Sequence, residues 1–172
     1  MSQPSQFDIA RAMLKVHEGL RLTEYTDTTG HNTIGYGWNL DAKALPEGIG
    51  KIVDGKLTIT EVEAEQLLDM AMLSHWGNLV SALPWVLKLG AWRQAVLLDM
   101  AFNMGIPTLL TFKKTLGYIE NGRYGNASEG MLNSKWATQV KRRARVLSDI
   151  MLNGKMNNAY LVDYNLGGWE HF

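Results

Sequence analysis

The sequence predicts an α+β fold that is mainly α, with a small antiparallel β-hairpin region near the N-terminus and helices through most of the remainder. Three observations lead there. Strand-prone residues gather within residues 20–37 on both sides of Thr26-Asp27-Thr28-Thr29-Gly30, a run with turn chemistry. From Thr60 onward, apolar residues recur at helical spacing. The chain has 172 residues, 46% of them hydrophobic, which is material for one packed domain.

The elements follow in order. Residues 7–17 carry Phe7, Ala10, Met13 and Leu14 at helical spacing, with Ser5 placed to cap the start and Gly19 just past the end, so a helix ends near His17 or Glu18. Leu20, Leu22 and Tyr25 form the outgoing limb of a hairpin, and Thr33, Ile34 and Tyr36 the returning limb. Gly35 and Gly37 flank Tyr36 and imply close backbone approach or a bulge. Residues 41–57, with Pro46, Gly48, Gly50 and Gly55, read as a loop or one further short strand. Thr60-Glu61-Val62-Glu63 fits a capping box that opens a helix running to about Leu79. Pro84 breaks the next stretch. Residues 91–104 are the most apolar helix, stopped by Gly105 and Pro107, and shorter helices are expected over 111–121, 126–134 and 143–153. The tail from Asn165 is expected to be irregular.

Several function classes are excluded. Seventeen Lys plus Arg balance seventeen Asp plus Glu, which argues against a strong nucleic-acid binder. The balance hides an asymmetry: residues 1–69 hold 6 basic and 11 acidic side chains, net −5, and residues 70–172 hold 11 basic and 6 acidic, net +5. That split suggests two sub-structures in one chain. No apolar run reaches the roughly 20 residues that cross a bilayer, and the first residues lack the basic start and apolar block of a signal peptide. There is no cysteine, and His17, His31, His75 and His171 show no paired ligand spacing, so no metal is expected. No phosphate-cradling glycine loop and no serine nucleophile elbow occur, and no cofactor is expected.

One constellation carries chemistry: Glu18 at a helix end, Asp27 in the hairpin turn and Thr33 on the returning strand. A helix C-terminus disfavours a carboxylate, and the neighbours Val16, Leu20 and Leu22 would desolvate it, so both effects raise the Glu18 pKa as a general acid requires. Asp27, among hydroxyls and open to solvent, should stay ionised. Two carboxyl groups in divergent environments are the basis of glycoside hydrolysis. From spacing alone each residue reads sooner as structural: a turn-capping Glu, a turn Asp, a strand Thr.

The run HEGLRLTEYTDTTGHNTIGYG, residues 17–37, resembles the signature of the phage T4-type lysozymes, glycoside hydrolase family 24. Glu18, eight residues, Asp27, five residues, Thr33 is that family's catalytic order and spacing. Residues 93–105, RQAVLLDMAFNMG, resemble its long buried helix, and Ser134-Lys135-Trp136 with Gln139 and Arg143-Ala144 resembles a further block. The resemblance implies two lobes joined by a long helix with a cleft between them. On this chain the β lobe would be residues 18–60, the connecting helix 60–79 and the helical lobe 80–172, with helix 7–17 packed on the latter. It further implies Glu18 as general acid, and Asp27 with Thr33 holding a water for an inverting attack, which needs about 6.5–9.5 Å between the carboxyl groups. Phe102, Asn103, Thr115, Trp136, Gln139 and Arg143 match positions near the cleft. Asn103 stands where the best-known members have the longer Gln. Arg143 would approach Glu18 and lower its pKa, against the burial argument.

The activity so implied is that of an endo-acting muramidase, cutting the β-1,4 bond between N-acetylmuramic acid and N-acetylglucosamine in bacterial peptidoglycan. A phage endolysin of this kind is a monomer that needs no cofactor. It accumulates in the host cytoplasm and reaches the periplasmic wall with the help of a holin-type partner. A lytic transglycosylase, which would not need Asp27, and a non-catalytic peptidoglycan-binding protein of the same fold are the alternatives. His17, Thr29, Trp38, Asn39 and Thr115 depart from the residues usual in the family.

Overall fold

The computed structural model describes residues 2–172. Ser5 and Asp8 open α1 (Gln6–Glu18) with a reciprocal cap. The Asp8 amide donates to Ser5 Oγ at 3.1 Å, and the Ser5 amide donates to Asp8 Oδ2 at 2.9 Å, so an Asp does what Glu does in a capping box. Ile9, Ala10, Met13 and Leu14 form the buried stripe. The Phe7 ring meets Trp76 edge-on at 5.6 Å.

Among the described residues, five antiparallel strands form one sheet in the order β3-β2-β1-β5-β4: β1 (Arg21–Thr26), β2 (Asn32–Gly35), β3 (Trp38–Asn39), β4 (Lys51–Val53) and β5 (Lys56–Thr58). β1 and β2 are the expected hairpin, with a register shift between Arg21 and Tyr25. The second hairpin goes beyond the expected loop or single strand over 41–57. It turns on Asp54-Gly55, whose φ values of 51° and 78° are both positive, as a two-residue type I′ connection requires. Its strands carry no buried residue, so no alternation of apolar and polar groups announces them.

α2 (Glu61–Ala82) starts at the expected capping box, with Glu63 N–H donating to Thr60 Oγ1 and Thr60 N–H to Glu63 Oε1. It ends three residues beyond Leu79. A 3₁₀ turn at Pro84–Lys88 leads to α3 (Ala91–Met104), in which Gln94 through Ala101 are all buried; a helix apolar on every side is an interior helix. α4 (Ile106–Leu109), α5 (Lys113–Glu120), α6 (Tyr124–Leu132), α7 (Lys135–Val140), α8 (Arg142–Asn153) and α9 (Asn158–Leu161) follow, then a 3₁₀ turn at Val162–Tyr164. α4, α7 and α9 span six residues or fewer, too short to show a period, and were not expected. Lys141, at φ 52°, divides α7 from α8.

Two compact units result: residues 14–74, and residues 2–13 with 75–172. The chain passes between them within α1 and within α2. The first unit holds the sheet. The second is built around α3, and its interior contains an ion pair. Arg143 Nε donates to Asp99 Oδ1 at 2.9 Å, with side chains 9% and 0% exposed. Burial pushes the Tyr164 phenol up to about 12, and the Asp99 charge adds to the rise.

Removing one partner of a buried pair strands the other charge. Asp99→Ala should therefore destabilise the protein by about 3–5 kcal/mol in denaturant unfolding; a loss below about 1 kcal/mol, the range of exposed pairs, would contradict a structural role for the pair.

Candidate active site

Glu18 is the last residue of α1, half-buried, and its carboxyl lies against the backbone of Gly37. A Cβ at Gly37 would stand 3.1 Å from Glu18 Oε2, and Gly37 has φ +79°. The positive φ favours glycine there, and a side chain would also crowd the Glu18 carboxyl. Val16 and Leu22 are 42% and 40% exposed.

Tyr25 connects the three expected catalytic residues. It pairs with Thr33 across β1 and β2, and opposed residues share a face of the sheet. Burial raises its phenol pKa most. The Arg21 guanidinium, 4.4 Å from the ring centre, opposes this, and the charges of Glu18 and Asp27 both add to the rise. The two carboxylates thus act on one side chain. Thr33 is buried, and its hydroxyl donates to the His31 carbonyl at 3.0 Å. With its single proton committed there, Thr33 Oγ1 meets any further partner as an acceptor.

Asp27 is tied to its own turn through one oxygen. Oδ1 accepts from the Thr29 amide at 2.9 Å, the Thr29 hydroxyl at 2.8 Å and the His31 amide at 2.9 Å. Among the described residues every hydrogen bond that the Asp27 carboxylate accepts lands on Oδ1, so Oδ2 is open to a ligand or water. The bond from the His31 amide does most to hold the carboxyl below the usual carboxylate range, followed by the Thr29 hydroxyl. Asp27 is thereby kept ionised at neutral pH.

Within the helical unit, a pocket of about 620 Å³ brings together Asn103, Trp136 and Gln139, with Met104, Phe112 and Lys135 among its walls. The Trp136 indole donates to Asn103 Oδ1 at 2.7 Å, so the shorter amide reaches its partner. Trp136 meets Phe112 edge-on at 6.2 Å. The other expected substrate-binding residues lie differently. Phe102 stacks at a tilt on His75, 5.2 Å between ring centres. Thr115 is buried, its hydroxyl 2.5 Å from where a Gly130 Cβ would be. Arg143 is held by Asp99. Among the described residues no three His, Asp or Glu side chains gather as metal ligands.

The family model for phage lysozyme matches residues 15–149, which contain Glu18, Asp27, Thr33 and every expected substrate-binding residue. The chain belongs to the phage lysozyme family. Phage lysozymes of the T4 type are glycoside hydrolases, and this chain shares that class. Two relatives from Dictyostelium discoideum are similar over most of their length. "Probable T4-type lysozyme 1" is 34% identical over 84% of this chain and 94% of the relative, and "Probable T4-type lysozyme 2" is 31% identical over 79% and 89%. The "Pre-baseplate central spike protein Gp5" of Enterobacteria phage T4 is 29% identical over 85% of this chain but only 28% of that protein.

Sequence reasoning missed the residues that hold this lysozyme's Asp27. The signal was present: an Asp with a hydroxyl residue two positions on, closed by glycine, is the pattern in which a carboxylate binds its own turn. Asp99 falls on no catalytic position of the family, and its partner lies 44 residues away in the chain. Since hydrogen bonds to the ionised form lower a carboxyl pKa, removing one must raise it. Thr29→Val should shift the Asp27 pKa upward in a carbon-13 NMR titration of the carboxyl carbon; an unchanged or lower value would contradict the bonding described.

Proposed function

We propose that this phage lysozyme is an inverting endo-muramidase, with Glu18 as general acid and Asp27 and Thr33 as the pair that orients the attacking water. The carrying observation is the bonding at the hairpin. Asp27 offers only Oδ2, and Thr33 Oγ1 can only accept. A water donating one hydrogen to each would keep its lone pairs for the anomeric carbon. As the water oxygen bonds to C1 of N-acetylmuramic acid, its proton passes to Asp27 and the bond from C1 to O4 of N-acetylglucosamine breaks. The Glu18 proton ends on O4. No other reactant is required.

Peptidoglycan is the substrate in this reading, and phage-induced host lysis the biological setting. The protein would be made in the host cytoplasm and act on the periplasmic wall, with a holin-type partner opening the inner membrane. Family membership supports this, and among the described residues no helix is long and apolar enough to cross a membrane. The pocket at Asn103, Trp136 and Gln139 supports a role for those residues in holding the saccharide or its attached peptide, since it offers aromatic walls with a few polar groups.

Glu18→Gln removes the transferable proton and should lower turnover of purified peptidoglycan by about 10²–10⁴-fold with the fold intact by circular dichroism. Asp27→Asn should do the same. Mass spectrometry of wild-type products should show reducing muramic acid ends. Near-wild-type clearing by Glu18→Gln would sink the mechanism, and 1,6-anhydro ends would establish a transglycosylase instead.

A further inference from the structure

Thr29 Oγ1 stands between two partners: Asp27 Oδ1 at 2.8 Å and His31 Nδ1 at 2.7 Å. A hydroxyl has one proton to donate. If Thr29 donated to the imidazole, its oxygen would face the carboxylate lone pairs at 2.8 Å with no hydrogen between them. Asp27 Oδ1 already accepts two backbone amides and cannot be the donor in its ionised form. The proton therefore points at Asp27, and His31 Nδ1 must itself carry hydrogen. Both the neutral Nδ1–H tautomer and the imidazolium supply it.

The geometry points to His31 as a positioning residue for the lysozyme reaction: its Nδ1–H holds the Thr29 hydroxyl in the one orientation that saturates Asp27 Oδ1 and leaves Oδ2 as the face that receives the water. This rests on the reading of Asp27 as the water-activating carboxylate. Without the imidazole, the Thr29 hydroxyl is free to rotate and to donate to solvent, and Asp27 Oδ1, which keeps its two backbone amides, then has one acceptor position open that competes with Oδ2 for the water. The side chain is half-exposed and packs into no core, while the backbone groups of His31 hold the turn on their own. Its amide donates to Asp27 Oδ1, and its carbonyl accepts from the Asp27 amide and the Thr33 hydroxyl. Replacing the imidazole leaves all of these in place.

The test measures kcat and KM on soluble peptidoglycan fragments for His31→Ala, His31→Asn, Thr29→Val, the double variant His31→Ala with Thr29→Val, and Asp27→Asn. His31→Ala should lower kcat about tenfold, as loss of a hydrogen bond in a charged network does, with KM within about twofold. His31→Asn, whose Nδ2 donates from nearly the position of Nδ1, should recover most of kcat. In the Thr29→Val background, His31→Ala should have no further effect, because the link it acts through is gone. An undiminished kcat in His31→Ala, equal losses in His31→Ala and His31→Asn, or additive losses in the double variant would each overturn the inference while leaving the role of Asp27 intact, provided Asp27→Asn is inactive. An active Asp27→Asn would remove the role of Asp27 and this inference with it.

Discussion

Three donors from one turn converge on Asp27 Oδ1, and the rest of the hairpin is arranged by that convergence. Strands of two to six residues cannot hold a turn rigidly by their own ladder. The carboxylate does so instead, with the Asp27 amide donating to the His31 carbonyl at 2.9 Å to close the loop. Because Oδ1 is spent on structure, the carboxylate plane is set by the turn and Oδ2 has a fixed direction. One residue is both the keystone of the turn and the proposed reactive group. This is why the choice of replacement matters: Asn retains an oxygen that can accept all three bonds, whereas Ala would release three donors, so that lost chemistry and a loosened turn could not be separated. Thr33 is bound into the same arrangement, since its hydroxyl donates to the carbonyl that closes the turn.

The position of Glu18 depends on backbone in a different way. α1 stops at Glu18, and Gly37, in a left-handed conformation, lets the chain pass within contact of the carboxyl. An L-residue at Gly37 would meet a conformational penalty of about 1–2 kcal/mol and a crowded carboxylate together. Tyr25, paired with Thr33 and affected by both carboxylates, ties the two sides of the site to one strand. In the helical unit the equivalent work is done by long polar side chains reaching between elements. Arg143 of α8 bonds to Asp99 of α3, and Ser128 of α6 donates to the Ser148 carbonyl. Arg93 donates to the Met151 and Leu152 carbonyls near the end of α8, with Tyr124 beneath its guanidinium.

The long, periodic helices were legible from sequence because their apolar spacing and caps are local: residues 91–104 became α3 with the same bounds, and the Thr60–Glu63 box opens α2. The second hairpin was legible in principle, through Asp54-Gly55, but its exposed strands gave no hydrophobic alternation to set beside the turn. Lys141 was not legible at all: nothing in its side chain marks a residue that adopts φ 52° and divides α7 from α8. The candidate catalytic residues were found through a spacing that stands for a whole fold. Gly37 was legible as a point of close backbone approach, but its partner Glu18 was not, nor was the pairing of Asp99 with Arg143, because these residues become neighbours only when the chain is folded.

The charge asymmetry then has a structural origin. Residues 14–74 carry 5 basic and 10 acidic side chains, and the other unit carries 12 basic and 7 acidic. In the sheet unit four of the ten acidic side chains serve as acceptors for backbone amides of loops, strands and the start of α2. Asp27 takes those of Thr29 and His31, Asp41 that of Asn32, Glu24 that of Leu57, and Glu63 those of Gly50 and Thr60. A small sheet with few buried residues cannot leave such groups to chance, and an ionised acceptor makes a stronger bond than a neutral one. Acidity is thus how this unit holds its loops, and a carboxylate already fixed in that way is only one open oxygen away from being a base. The site at Asp27 is best understood as one of these loop anchors, distinguished by the hydroxyl of Thr33 on the strand that follows its turn.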